Sequence, residues 1–464
     1  MSTQTIIKKW QRFTLAAVAC LPLSFAQANY ADFNQLLPSG SDMSFILLRS
    51  NGDIISEHNA DRLMVPASTL KILTATAAWL ELGAEFRYQT SLLLAPVNAG
   101  VIDSDLVLKV SGDPTFSRAD LYQMLRQLKT AGVNTIRGDI RFDDSQFAGY
   151  DRAAGWPWDD LNVCFSAPIS AVMLDSNCVR VSVEPHGNEA RINKASHIPL
   201  QIESHLRHAP MNTLCPLELY VKQEIYQLHG CLDRKLPLAL ALANPQQYVK
   251  AVIQQQLDEL GITLEKKPTH TAATTSYAQH HSAPLPELLR KVLENSDNQI
   301  SDSLLRTLGA KRYQIGSFQA GIQAIDASFQ QHLGFPLSNS DLYDGSGLSR
   351  YNLISARTLS TTLLSWQTPQ LQPLQAMLPT AGKSGTLRYR KGTQAVTGKL
   401  QAKTGSFKQV ANLAGFIQTA ADDNLVVVQM VNGINGQNSQ AREQLAQFED
   451  ALYRCIHNSC FQNN

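Results

Sequence analysis

The stretch Pro66-Ala67-Ser68-Thr69-Leu70-Lys71 constrains this chain more than any other. It leads straight into an apolar run, Ile72 to Leu82, that stops at Gly83. Proline suits the first turn of a helix, where a missing N–H costs nothing. The stretch therefore predicts a helix that opens here and carries the apolar run. On that helix Ser68 and Lys71 are three residues apart and share a face. A serine hydroxyl is a weak nucleophile until a base takes its proton. A lysine can be that base if burial or a second cation lowers its pKa. Ser-x-x-Lys is nonetheless a common tetrapeptide, and alone it describes many surface helices.

At 464 residues the chain is long enough for two or three domains, and its 44% hydrophobic content is ample for packed cores. With 40 basic and 39 acidic residues the net charge is +1, which gives no electrostatic basis for binding nucleic acid or an anionic membrane. Residues 1–28 read as a signal peptide: Lys8, Lys9 and Arg12 are basic, Phe13 to Phe25 is apolar, and Ala26-Gln27-Ala28 is an A-x-A cleavage site. The apolar part is short for a membrane span. Cys20 as a lipidated residue is disfavoured by Ala17, a poor match three positions earlier. The expected product is a periplasmic protein, secreted across the inner membrane, with no stable membrane anchor. Cleavage leaves six of the seven cysteines. An even number in an exported protein suggests disulfides. Short loops favour Cys164–Cys178, Cys215–Cys231 and Cys455–Cys460 among the fifteen pairings that six cysteines allow. No Cys-x-x-Cys or His-x-x-x-His pair points to a metal, and no cofactor is called for.

Asn51-Gly52 between two apolar runs predicts a hairpin just before the Ser68 helix. From Phe86 to Pro268 the texture becomes many short strands, interrupted by helices over Ser117–Ala131 and Pro245–Leu260. The polar stretch Thr269 to Ala283, with its His280-His281 doublet, reads as a loop. Helices return after it, and the end runs strand, strand, strand, helix, beginning with a strand over Ala395–Ala402. Strands at both ends with helices between predict one α/β (α+β) domain with an antiparallel sheet flanked by helices. It would comprise residues 29–85 and 284–464, with a large β-rich insertion over 86–283, itself in two subdomains.

Three short motifs stand in order along this layout: Ser68-x-x-Lys71, Ser296-Asp297-Asn298 and Lys403-Thr404-Gly405. The first sits at a helix start, the second between helices and the third at a strand end. The trio is that of penicillin-binding proteins and class A β-lactamases. With Val110 to Thr115, Pro157-Trp158, Cys164 to Pro168, Asp344 to Arg350 and Gly385-Thr386-Leu387, the chain resembles the class C low-molecular-mass penicillin-binding proteins, peptidase family S13, over essentially the whole mature length. From Ser68 to Ser296 is 228 positions, which accommodates the large insertion of that family and is too long for a class A β-lactamase. A second match, Lys383-Ser384-Gly385, leads into a basic loop and is set aside in favour of Lys403, which is followed by two apolar strands.

The resemblance implies a β-lactamase/transpeptidase-like fold. It also implies serine DD-carboxypeptidase and DD-endopeptidase activity on the D-Ala-D-Ala termini and D-alanyl-diaminopimelate cross-links of peptidoglycan. By that likeness Ser68 is the nucleophile and Lys71 its base, with a pKa lowered by burial and by Lys403. Ser296 relays a proton to the leaving amine, Asn298 orients Lys71, and Asp297 is structural. Lys403 and Thr404 hold the substrate carboxylate, and Gly405 lets the strand approach the substrate. The backbone N–H groups of Ser68 and Ser406 form an oxyanion hole. Asp143, or Asp144 in its place, and Arg350 would hold a diaminopimelate side chain, while Lys408 stands where relatives carry an amide. Partners implied are peptidoglycan peptides and β-lactam antibiotics, and the family allows a homodimer. The alternatives are a serine β-lactamase, which the insertion and the lack of a deacylating Glu motif oppose, and a non-catalytic cell-wall scaffold, which the three intact motifs oppose.

Overall fold

The computed structural model describes residues 31–461 except 213, 268–270 and 436–437. The segment assigned to the signal peptide lies outside the described residues. Strands β1 (Asp42–Leu48) and β2 (Ile54–His58) form the hairpin expected around Asn51-Gly52. Next come α1 (Lys71–Leu82), the inserted region, and helices α2 (Leu285–Glu294), α3 (Asn298–Tyr313), α4 (Phe318–His332) and α5 (Ala356–Ser365). Strands β3 (Leu400–Phe407), β4 (Val410–Gln418) and β5 (Asn424–Asn432) and helix α6 (Ser439–His457) finish the chain. The five strands make one antiparallel sheet in the order β3-β4-β5-β1-β2.

Both faces of this sheet are covered, which explains its nearly unbroken apolar strands. Successive residues alternate between two cores. Ile46, Leu48, Val426 and Val428 pack with α1 and its neighbours. Phe45, Leu47, Val427 and Val431 pack with Phe448, Leu452 and Ile456 of α6. On the α6 side the buried Glu449 pairs with the mostly covered Arg390, Nε to Oε2 at 2.9 Å, and ties the loop before β3 to that helix.

The third motif is inside β3, not at the end of a strand over Ala395–Ala402 as the sequence predicted. Lys391–Val396 is instead a 3-10 turn, and Gly398 has φ +75°. That glycine turns the chain before the strand can begin. Burial of Ala402, Lys403, Thr404 and Gly405 in a row hid the strand's alternation.

In the inserted region four strands pair in the order Thr275–His281, Gln89–Leu94, Leu106–Lys109, Ile140–Asp143. The polar stretch read as a loop thus supplies an edge strand. His280 is not solvated: it is packed by Phe116, with Asp113 and Asp120 within 3.8 Å. Two three-stranded sheets follow, one around Cys178–His186 and one around Ile225–Leu232. A separate core lies under Arg118–Thr130 and Pro245–Glu259. The chain leaves at Tyr88 and returns at Ser282, whose N–H donates to the Tyr88 carbonyl at 3.0 Å. This adjacency supports the proposed division into 29–85 with 284–464 and an insertion over 86–283. The disulfides are Cys164–Cys178, Cys215–Cys231 and Cys455–Cys460, as loop length suggested. Among the described residues no helix is long and apolar enough to cross a membrane.

Candidate active site

The Ser68 turn is pinned from three sides before any chemistry is considered. Ala67–Leu70 forms a 3-10 turn that runs into α1, and Ala67 has φ +48°. An alanine in that region is strained and persists only where its surroundings hold it. Asn412 of β4 donates to the carbonyls of Val65 and Pro66 at 2.9 and 2.8 Å. Gly347 lies so close that a Cβ there would meet the Ala67 carbonyl oxygen at 1.9 Å, with φ +79° besides. Gly405 of β3 abuts the turn, since a Cβ on it would lie 2.5 Å from the Pro66 carbonyl oxygen and 3.2 Å from the Ser68 nitrogen. The glycine of the third motif therefore admits the Ser68 turn against the strand. The sequence had assigned that space to substrate.

Lys71 is fully buried and lies at the centre. Its Nζ is 2.9 Å from Ser68 Oγ, 2.7 Å from Asn298 Oδ1 and 2.6 Å from the Ser346 carbonyl oxygen. Burial lowers its pKa to about 8, against the opposing pull of Asp302, Asp344 and Asp297. Burial and then repulsion from Lys71 push Lys403 well below the usual lysine range, and burial is the largest cause of the lowering at Lys71.

The other two motifs close around this amine. Asp297 caps α3, its Oδ1 accepting from the Ile300 N–H at 2.9 Å, which fits the structural reading. Ser296 before it has φ +64°, a conformation serine adopts only under constraint. Its Oγ accepts from Lys403 Nζ at 2.9 Å. Lys403 also reaches the Thr404 carbonyl at 3.0 Å, and Thr404 donates to Thr386 Oγ1 at 2.8 Å. Ser406, next along β3, is exposed. The rejected Lys383 lies beside Gly398, within 3.0 Å of where a Cβ would stand there.

One wall comes from the inserted region. Asn298 Nδ2 donates to the Phe165 carbonyl at 2.8 Å, and Gln299 donates to the Cys164 carbonyl. The Cys164–Cys178 disulfide anchors that wall. At the mouth, the Arg350 guanidinium stacks 3.9 Å from the Phe407 ring centroid. Burial lowers its pKa, and Asp160 and Asp159 oppose that shift. Lys408 pairs with Asp159 at 3.2 Å.

Asp143 is not brought to Arg350. It sits at the end of Ile140–Asp143, accepts from Ser145 Oγ at 2.7 Å and lies 3.7 Å from Lys109. Asp144, its substitute, accepts from Gln246. The carboxylates whose charge acts on Arg350 are Asp160 and Asp159, on the 3-10 turn after Pro157. Sequence reasoning also missed Ser346, Thr386 and Asp302. Asp302 stands one helical turn after Asn298 and so shares its face of α3, a spacing that could have flagged it. Its Oδ1 accepts from the N–H groups of Gly345 and Ser346 at 2.7 and 2.8 Å.

Residues 30–452 match the model of the D-Ala-D-Ala carboxypeptidase 3 (S13) family. The D-alanyl-D-alanine carboxypeptidase DacB of Haemophilus influenzae is 36% identical over 95% of this chain and 96% of its own. The crystal structure of penicillin binding protein 4 from Haemophilus influenzae aligns with a TM-score of 0.86 at 36% identity, over 93% of this chain and 99% of that one. The same protein complexed with a β-lactam aligns with a TM-score of 0.82 at 34% identity, again over 93% and 99%. This chain belongs to the D-Ala-D-Ala carboxypeptidase 3 (S13) family.

Proposed function

We propose that the protein is a periplasmic serine DD-carboxypeptidase and DD-endopeptidase of peptidoglycan that works through a Ser68 acyl-enzyme and is acylated by penicillin. The observation that carries this reading is the surroundings of Lys71 Nζ. A neutral amine has two N–H donors and one lone pair. The Asn298 and Ser346 carbonyl oxygens can only accept, so they take the two N–H groups. The lone pair is left facing the Ser68 hydroxyl at 2.9 Å. Lys71 accepts the Ser68 proton as Oγ attacks the D-alanyl carbonyl, and the N–H groups of Ser68 and Ser406 hold the developing oxyanion. The C–N bond breaks as the leaving amine takes, by way of Ser296, the proton that Lys71 accepted, and water, giving its proton to the freed Lys71, then hydrolyses the ester and releases Ser68. A bound terminal carboxylate offsets the lowered pKa of Lys403, so that Lys403 presents positive charge and Thr404 a hydroxyl to it.

Arg350, Asp160 and Asp159 replace the Asp143–Arg350 pair as the proposed side-chain subsite, with a cation for a carboxylate and an acid for an amine. Lys408 neutralises Asp159 there. Intact mass with benzylpenicillin tests the core of the proposal: a persistent one-to-one adduct lost in Ser68→Ala supports it. Penicillin consumed without an adduct would instead mean a β-lactamase. Release of D-alanine from a D-Ala-D-Ala peptide, and cleavage of a cross-linked muropeptide dimer, test the two peptidase activities separately.

A further inference from the structure

The Ser346 carbonyl that holds Lys71 belongs to a turn held by side chains of two helices, and one of these is a buried acid that takes the Ser346 N–H itself. Asp302 is fully buried on α3, and its Oδ1 takes both the Gly345 and Ser346 N–H groups. The carbonyl of Gly345 is taken in turn by Thr74 of α1 and Ser301 of α3, each at 2.7 Å. Gly345 has no room to move, since a Cβ there would stand 2.9 Å from Leu305 Cβ and 3.1 Å from the Ser301 carbonyl oxygen. The turn is thus clamped between two helices, with Lys71 bonded to its next residue.

The second oxygen of Asp302 is the informative atom. Oδ2 is buried and meets no hydrogen-bond partner. Neighbouring Asp344 is the opposite case. Its two oxygens accept from the N–H groups of Gly347 and Ser349, from Trp156 Nε1 and from Asn352 Nδ2, all within 2.9 Å. A negative charge is stabilised on the carboxylate with four donors and not on the one with a bare oxygen. We propose that Asp302 is a positioning residue, a neutral carboxylic acid protonated on Oδ2 that braces the Gly345-Ser346 turn against which Lys71 is aimed at Ser68. It rests on the proposed acylation chemistry, but its protonation can be read without it. The charged groups around it are Asp344 on the turn, Lys71 on α1 and Arg306 one turn along its own helix. Burial, then Asp344, raise its pKa to about 8, in agreement with the hydrogen bonding.

Two variants of the full chain test this. Asp302→Ala removes the brace. The first-order rate of acylation by benzylpenicillin should fall at least tenfold, with the concentration for half-saturation changed less than threefold, because the lost aim of Lys71 affects the reaction more than binding. Asp302→Asn keeps the acceptor and the neutral charge, so it should recover most of the rate. Protonation is read from melting temperature against pH. An acid with a raised folded pKa holds a proton that the unfolded chain releases above its ordinary carboxylate range, so its contribution to stability declines as pH rises from about 4 to 8. Asp302→Asn lacks that decline, so its melting temperature should gain on the parent between pH 5 and pH 8. The brace is refuted if Asp302→Ala acylates at the parent rate. The neutral acid is refuted if the melting difference between Asp302→Asn and the parent is flat over that range. Failure of the parent itself to form an adduct would overturn the proposed function, and the melting comparison would still decide the protonation of Asp302.

Discussion

Gly405→Ala isolates what the third motif does for the nucleophile. Gly405 is absent from the residues with positive φ, so alanine fits its backbone and the perturbation is purely steric. The new Cβ would stand 2.5 Å from the Pro66 carbonyl oxygen, 3.0 Å from the Thr69 nitrogen and 3.2 Å from the Ser68 nitrogen. All three are backbone atoms of the Ser68 turn, so no side chain can swing aside. Reaching ordinary van der Waals contact with Pro66 requires β3 and the turn to part by about 1 Å. Overpacking of this kind costs about 1–3 kcal/mol of stability. The kinetic penalty is larger, because a displacement of about 1 Å at a reacting centre costs on the order of a hundredfold in rate. The same movement separates the Ser68 and Ser406 N–H groups. Stopped-flow acylation with a fluorescent penicillin, alongside thermal melting, measures both effects. A melting point lowered by a few degrees with acylation slowed by one to two orders of magnitude is expected. An unchanged acylation rate would refute the argument that β3 and the nucleophile turn are held at contact distance by the missing side chain.

Acylation should rise with pH and level off above about 8, since Lys71 must be neutral to accept a proton and roughly a tenth of it is neutral at pH 7; a rate flat from pH 6 to 9 would exclude Lys71 as the base. Glu449→Ala leaves the mostly covered, charged Arg390 without its partner, so a loss of about 3 kcal/mol is expected in denaturant unfolding. Replacing Cys164 and Cys178 together by serine releases a loop closed over 14 residues, about 3 kcal/mol by chain entropy. It should also slow acylation, because the Phe165 carbonyl then holds Asn298 less firmly. Arg350→Ala should lower kcat/KM for peptides with a carboxylated side chain while leaving benzylpenicillin acylation within a few-fold, since Arg350 stands at the mouth over Phe407 and not against Ser68.

What the sequence showed and what it hid divide along physical lines. Local chemistry was legible. Asn51-Gly52 gave the hairpin, Pro66 and the apolar run after Lys71 gave a helix, and loop length gave all three disulfides. Motifs whose members act through their own neighbours were also legible: Ser68 and Lys71 share a helical face whatever the rest of the chain does. The failures are of two kinds. Strands at an edge or buried on both faces lose the alternation that marks them, which is why Thr275–His281 read as a loop and β3 was placed several residues early. Pairings across the cleft carry no sequence signal at all. Asp143 ends a strand and Asp160 lies on a 3-10 turn, and only the fold decides that the charge of Asp160 acts on Arg350 while Asp143 turns to Lys109.

The same distinction explains why the site needs so many residues that no motif contains. A lysine in water at neutral pH is a cation and no base. Taking it out of water lowers its pKa, but a fully buried amine with nothing to bond to would be costly and free to turn away. The fold resolves this by giving Lys71 two acceptors besides the serine, one from α3 and one from the turn at Ser346, so that burial and orientation come from the same contacts. Each acceptor is itself held: Asn298 by the Phe165 carbonyl of the inserted region, Ser346 by Asp302. The insertion is therefore part of the base's environment. An excised catalytic domain without it would keep all three motifs and still leave the carbonyl of Asn298 free to rotate off Lys71.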